Sequence, residues 1–346
     1  MTARIISGSQ LSVAVTDASS VGECRRSAQA LALAEGYDFD DLSIGRISII
    51  ATEIATNILR HAGTGRVLIQ MLDDSVEPEL EILGIDRGPG MTNIDSCMRD
   101  GFSTGGTAGT GLGAVARLSM TFDVFSAPGQ GTVLLSRSTR TRAESRTGQT
   151  AKATLELGAI SVAVAGEIEC GDSWRVVDGG AAVGMLVADG LGHGPSAAAA
   201  SKAAVSAFVS KPFDPPASIM TALHRAASGT RGVAAACALL HPSGATVDYA
   251  GVGNICGSIV TGGRQRGMVS HNGTLGMQLV RTQQFEYPWP VDSLVVLHSD
   301  GLSARWNMEL YPGLIQRHAA TIAGVLYRDF GRERDDATVI VARRRP

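Results

Sequence analysis

Ile85-Asp86-Arg87-Gly88-Pro89-Gly90-Met91 sets a carboxylate just past an apolar strand and follows it with two glycines. A carboxylate in that place accepts a hydrogen bond from an adenine amino group, and Gly88 and Gly90 let backbone approach a flat ring. Taken alone the stretch is also an ordinary Asp-Gly turn, so its flanks decide the reading. Upstream, Thr52-Glu53-Ile54-Ala55-Thr56-Asn57 lies where Ile44, Ile47, Ala51, Ile54 and Ile58 make one helical stripe and Gly63 is placed to end it. Positions four apart on a helix are rotated by about 400°, so Glu53 and Asn57 point nearly the same way from the polar side, with His61 slightly further round. A carboxylate and an amide offer oxygens to Mg²⁺ and can orient an attacking hydroxyl, although an isolated pair of this spacing also suits a solvated helix face. Downstream, Gly105, Gly106, Gly109, Gly111 and Gly113 feed a further helix, whose free N–H groups would receive phosphate. Three such elements in this order predict an ATP site. His61, near a helix end, reads as a carbonyl cap rather than a catalytic group.

Around these motifs the pattern is mixed. Leu11 to Val15 alternates as a strand, and Ser20-x-x-Glu23 reads as a capping box before a helix through Cys24, Ala28 and Leu31, with Gly36 as its stop. Strands are expected at Arg66 to Leu72, Leu80 to Ile85, Phe122 to Ser126 and Thr132 to Leu135. From Ser136 to Lys152 the chain is polar and nearly free of large apolar side chains, which cannot build a core. This segment divides the chain into expected domains of residues 1–137 and 153–346, with 138–152 as the linker. Beyond it come strands at Ile160 to Val164 and Ala182 to Ala188, helices at Pro195 to Val209 and Ile219 to Ala227, and strands through Leu240, Tyr249 and Val260. Ser293 to His298, a helical stretch Tyr311 to Phe330, and Thr338 to Ala342 close the chain. The class is α+β, with helices bracketing antiparallel sheets.

The second half carries a different chemistry. Asp172, Asp189, Asp300 and Asp335 each follow or end an expected strand, and antiparallel pairing can bring them together. Carboxylates converging without histidine or cysteine clusters favour Mg²⁺ or Mn²⁺ over Zn²⁺. Two such ions about 3.5–4 Å apart activate water for attack on a phosphoester. Each Asp-Gly alone is a turn, and the set is more specific than its members. His193 is open to two readings, as an acid beside a leaving oxygen or as a loop donor to backbone. Gly251-Val252-Gly253-Asn254 reads as a structural glycine turn, and no arginine stands out as a phosphate clamp.

At 346 residues the chain exceeds one ordinary core, and 44% apolar with 18% charged residues is globular composition. A net charge of −3 with scattered basic residues excludes a nucleic-acid footprint. The five cysteines form no C-x-x-C pair and read as buried thiols in a reducing cytoplasm. No signal segment or membrane span is expected, so the sequence reading is cytoplasmic.

Residues Gln10 to Leu135 resemble the GHKL ATPases, in particular the RsbT-type switch serine kinases of the stressosome, on Thr52 to Asn57, Ile85 to Met91 and Asp100-Gly101-Phe102-Ser103-Thr104. The resemblance implies a Bergerat α/β sandwich in which Asn57 holds Mg²⁺, Asp86 reads adenine, and Glu53 is the general base for a substrate serine or threonine. It makes Phe102 to Gly113 a lid over the phosphates, including Gly109, Thr110, Gly111, Leu112 and Gly113. Residues Thr154 to Arg344 resemble the metal-dependent PPM serine/threonine phosphatases of the SpoIIE and RsbX type, on Gly171 to Trp174, Val187 to Gly194, His298 to Leu302 and Asp335 to Thr338. This implies an αββα sandwich with Asp189 as bridging ligand, the Gly190 carbonyl beside it, Asp172, Asp300 and Asp335 completing the metal shells, and Asp336 in support.

The joint expectation is a bifunctional partner-switching regulator. It would use ATP and Mg²⁺ or Mn²⁺ on STAS-domain anti-sigma antagonists or stressosome scaffold proteins, with a downstream signalling protein as a further partner. Nucleic acid and membrane are not expected, and the oligomeric state is open. The alternative keeps the phosphatase and makes the first domain a silent ATP sensor or adaptor.

Overall fold

The chain divides into one unit of Gly8–Ala151 and a second of Met1–Ser7 with Lys152–Pro346. This computed structural model describes residues 3–8, 10–74, 78–98, 111–140, 155–277 and 282–344. The first strand, β1 (Arg4–Ser7), belongs to the second unit.

The first unit runs β2 (Gln10–Val15), α1 (Ala18–Ala32), α2 (Asp41–Asn57), β3 (Gly65–Asp74), β4 (Glu79–Asp86), α3 (Ile94–Cys97), α4 (Gly111–Leu118), β5 (Thr121–Ser126) and β6 (Thr132–Thr139). Its strands pair antiparallel in the order β2-β3-β4-β6-β5. Val13, Val15, Val67, Ile69, Met71, Leu80, Ile82 and Leu134 present one sheet face to Cys24, Ala28, Ile47, Ile50, Ile54 and Val115 of the helices. Each large side chain buried there contributes roughly 1.5–3 kcal/mol. Gly84 brings β4 directly beneath the side chain of Ile54, which fixes α2 over the sheet. The helix widens into a π turn at Ile58–Ala62 and stops at Gly63, whose φ is 78°. The 22-residue stretch Asp41–Ala62 is, among the described residues, the one helix long and apolar enough to cross a membrane, and its buried positions sit in this core.

The second unit continues with β7 (Leu155–Val162), β8 (Asp172–Asp178), β9 (Val183–Gly190), α5 (Pro195–Ser210), α6 (Pro216–Ala226), β10 (Val233–His241), β11 (Thr246–Val252), β12 (Cys256–Thr261), β13 (Arg264–Met268), β14 (Ser270–His271), β15 (Phe285–Pro288), β16 (Leu294–His298), α7 (Ala319–Phe330) and β17 (Ala337–Arg344). One sheet is β1-β8-β9-β10-β11, with β14 and β15 also on β11; the other is β13-β12-β16-β17-β7. Helices α5 and α6 bury Val205, Phe208, Ile219, Met220 and Leu223 against Leu186, Ala188, Ala235 and Ala250 of the first sheet. α7 lies tight on the second, where a side chain at Gly158 would strike the Ala320 backbone. The result is the expected αββα arrangement.

Several local expectations change. Asp17, not Ser20, caps α1: its carboxylate accepts from the N–H groups of Ser19 and Ser20, and Ser20 returns the bond as the third helical residue. A box one turn earlier suits the chain because Asp is acceptor-only and its backbone is extended there. The strand β6 runs on through Thr139, so the linker begins later than residue 138; Ser136 and Ser138 are polar yet buried, with Ser136 bonded to Ser119 Oγ at 2.6 Å. The expected first domain of residues 1–137 loses its leading residues, because Arg4, Ile5 and Ile6 pair with Asp178, Val177 and Val176 of β8. The stretch Tyr311 to Phe330 is a short 3₁₀ turn followed by α7 rather than one helix. Of the five cysteines, only Cys24 and Cys237 are fully buried, and all five are free thiols.

Candidate functional site

Glu53 and Asn57 leave the last turns of α2 half-buried, and Gly111, the first residue of α4, comes against both. A Cβ at Gly111 would stand 2.7 Å from Glu53 Oε2 and 3.3 Å from Asn57 Oδ1. The N-terminus of α4 therefore opens onto the carboxylate and the amide that the helical spacing paired. The adjoining wall is the π turn. Gly88 packs against Ala62, and a side chain at Gly65 would meet both Ile58 and Asp86 Cβ. Asp86 ends β4 with its Oδ1 accepting from Gly88 N–H at 2.8 Å and Thr132 N–H at 3.2 Å. That carboxylate holds the glycine turn in shape, and Gly90 adopts a φ of 69° close to the Ala127 carbonyl. Leu112 packs on the core and Gly113 is buried, so both anchor α4. Phe102, Gly109 and Thr110 lie outside the described residues. His61 is exposed in the π turn.

Oxygen donors at the start of a helix, beside a carboxylate-bearing glycine turn, fit a nucleotide with Mg²⁺. Asn57 would ligate the ion, free N–H groups of α4 would receive phosphate, and Glu53 would face the γ-phosphate end.

In the second unit Asp172 opens β8 and Asp189 nearly ends β9, and the two are direct cross-strand partners. Asp300 follows β16 and Asp335 precedes β17, neighbours in the other sheet. Asp189 and Asp300 thus stand at the end of their strands as expected, whereas Asp172 begins its strand and Asp335 precedes one, because antiparallel neighbours bring the start of one strand beside the end of the next. Burial, followed by the charges of Asp172, Asp300, Asp335 and Asp336, pushes the Asp189 carboxyl well above the ordinary range. Burial raises Asp172 too, against the hydrogen bonds of Ser299 and Thr338, which lower it. Asp335 is likewise raised, by burial first and then by Asp300.

Carboxylates that raise one another in this way form a cluster short of positive charge. Its oxygen-only donor set fits Mg²⁺ or Mn²⁺. Among the described residues no three His, Cys, Asp or Glu side chains close around a single point. Each ion would therefore take one or two carboxylates and complete its shell with water, as Mg²⁺ commonly does.

The supports are built into the strands. Ser299 Oγ donates to Asp172 Oδ2 at 2.6 Å and accepts from Thr338 N–H at 3.0 Å. Asp336 is spent as a brace: its carboxylate accepts from Val164 N–H and Gly171 N–H, both at 2.8 Å. Gly190 abuts the Ala197 carbonyl of α5, and Gly301 abuts the Asp336 carbonyl, so neither position has room for a side chain. Asn254, expected to be structural, donates from Nδ2 to Asp300 Oδ2 at 2.6 Å. A glycine-rich turn gave no sign of that role; only the pairing of β12 with β16 brings it there. His193 Nδ1 bonds Glu167 Oε1 at 2.7 Å rather than backbone.

Known proteins share both halves. Residues 14–137 match the family described as histidine kinase-like ATPase domain, and residues 179–345 match Stage II sporulation protein E (SpoIIE). The serine/threonine-protein kinase RsbT of Bacillus subtilis (strain 168) is 38% identical over 100 residues, 29% of this chain and 75% of RsbT. A solved chain described under the bacterial stressosome, as a modular system adapted to control secondary messenger signaling, is 30% identical with a TM-score of 0.51, covering 55% of this chain and 99% of that one. RsbX in complex with magnesium is 21% identical with a TM-score of 0.48, over 54% of this chain and 94% of that one.

Proposed function

We infer, for a chain that belongs to the RsbT family of serine/threonine kinases through its ATPase unit and carries a SpoIIE-type phosphatase domain in its second, that one polypeptide adds phosphate to and removes it from a serine or threonine of STAS-domain partners. The observation that carries the kinase half is Glu53 standing with Asn57 at the first residue of α4. A nucleotide sensor needs Asn57 and Asp86 but has no use for a carboxylate at the phosphate end. Glu53 would accept the hydroxyl proton of the substrate residue as its oxygen attacks the γ-phosphorus, Asn57 would hold Mg²⁺, and Asp86 would receive the adenine amino group. Phe102, Gly109 and Thr110 would belong to the lid.

For the phosphatase half, Asp172, Asp189, Asp300, Asp335 and the Gly190 carbonyl would hold the ions. Divalent cations bound there supply Lewis acidity toward the phosphoryl group and water. Asn254 and Ser299 keep Asp300 and Asp172 in place, and Asp336 ties the loop before β8 to the start of β17. His193, held by Glu167, would give a proton to the departing serine oxygen. The reading places the protein in the cytoplasm, where ATP and reduced thiols are found.

A STAS-domain protein phosphorylated beforehand tests the phosphatase half directly. It should lose phosphate to the wild type in Mn²⁺ and keep it with Asp189→Ala. Equal loss with both proteins would remove the carboxylate cluster from the chemistry.

A further inference from the structure

Arg231 is a cation that the fold delivers to the loop that follows Asp189 and Gly190. The residue stands just before β10, whose first residue, Val233, pairs with Gly190. Leu191 N–H donates to the Gly232 carbonyl at 3.1 Å, so the turn bearing Arg231 is tied to the loop after β9. Arg231 Nη1 lies 3.1 Å from where a Cβ at Gly192 would be. Gly192 has a φ of 86°, and its lack of a side chain leaves that space to the guanidinium. Among the described residues Arg231 makes no hydrogen bond or ion pair, although the loop it faces leads directly out of the strand end that carries Asp189 of the acidic cluster. Glu167 and Glu169 are engaged with other cationic side chains, Glu167 with His193 and Glu169 with Lys202 at 2.8 Å.

The first turn of α5, which the same loop enters, carries no acidic residue and no side-chain cap. An unspent planar cation at this edge has the geometry for a phosphate dianion, since guanidinium N–H groups match two phosphoryl oxygens at once. The sequence offered no such arginine, because Arg231 is separated from Asp189 by two helices.

We propose that Arg231 binds the non-bridging phosphoryl oxygens of the substrate, and of the phosphate product, at the phosphatase site. This rests on the phosphatase reading. The probes are p-nitrophenyl phosphate as ester and inorganic phosphate as inhibitor, with the full chain in Mn²⁺. Arg231→Ala should weaken phosphate inhibition and lower kcat/KM for the ester together, each by about tenfold to hundredfold, the range for a hydrogen bond to a charged group. Mn²⁺ affinity and melting temperature should stay at wild-type values, because the side chain is exposed. Arg231→Lys should recover part of both losses, keeping the charge without the fork.

Unchanged phosphate inhibition would overturn the proposal. So would a loss seen only with a phosphoprotein, which would make Arg231 a contact for the partner's own acidic groups. A wild type that hydrolyses neither p-nitrophenyl phosphate nor a phosphoprotein would instead remove the phosphatase reading, and the proposal with it.

Discussion

Replacing Gly111 by alanine separates the nucleotide site from the fold that carries it. Gly111 is not among the glycines with positive φ, so its backbone accepts an L-residue without strain. The added Cβ would stand 2.7 Å from Glu53 Oε2 and 3.3 Å from Asn57 Oδ1. Carbon and oxygen settle at roughly 3.5 Å, so the carboxylate must retreat by about 0.8 Å and the amide by a few tenths. Both are ends of side chains that can rotate away, which keeps the folding cost small; alanine in the first helical turn returns up to about 1 kcal/mol through helix propensity. Misplacing a catalytic group by about 1 Å costs on the order of 100-fold in rate. Gly111→Ala should therefore keep or slightly raise the melting temperature, while phosphotransfer from labelled ATP to a STAS-domain protein, measured with Asp189→Ala in both proteins so that phosphate is not removed again, falls about tenfold to hundredfold. Transfer at the wild-type rate would refute the placing of Glu53 and Asn57 at the phosphates. A collapsed melting temperature would show Gly111 to be structural.

Gly301→Ala should do the opposite, since its Cβ would run into the Asp336 carbonyl, a backbone atom with no freedom to turn aside. Overpacking of this kind costs about 1–3 kcal/mol, and a calorimetric melt with the phosphatase unit unchanged would contradict it. Deleting residues 1–7 strips β1 from β8, the strand that begins with Asp172, and should lower the melting temperature and Mn²⁺ affinity of the second unit; a deletion without effect on either would make β1 ornamental. In metal-free protein the Asp172 and Asp189 carboxyls are raised above their unfolded value near 4. The folded state then keeps protons that the unfolded chain releases, so their contribution is complete at low pH and is lost as pH rises through the raised values. Metal-free melting temperature should fall with rising pH, less so in Asp189→Asn, and Mn²⁺ should abolish the fall. An equal fall in wild type and variant would contradict the assignment.

What could be read from the residues was whatever repeated at a regular spacing. The stripe Ile47, Ile54 and Ile58 announced α2 and, with it, the shared direction of Glu53 and Asn57. Asp86 announced itself by ending an apolar strand, and its two backbone bonds explain why the glycine turn follows. The features that escaped depend on partners distant in the chain. Arg4 to Ile6 are an unremarkable short run until β8 is there to pair with them. Asn254 and Arg231 acquire their neighbours through sheet register, which local pattern does not encode. Ser136 and Ser138 read as linker because hydroxyls are usually exposed, yet here the sheet buries them. The π turn at Ile58–Ala62 was invisible for a related reason: its sequence continues a helical stripe, and the change of pitch shows only in the backbone.

The central claim is that the two units act in opposition on one substrate. The direct measurement is phosphate carried by a STAS-domain protein after incubation with labelled ATP, Mg²⁺ and Mn²⁺, comparing the wild type with Asp189→Ala, Glu53→Ala and the double variant. Phosphate should accumulate with Asp189→Ala and be absent when Glu53 is also changed. No accumulation with Asp189→Ala, in a protein whose wild type still removes phosphate, would contradict the claim and leave the first unit an ATP sensor or adaptor.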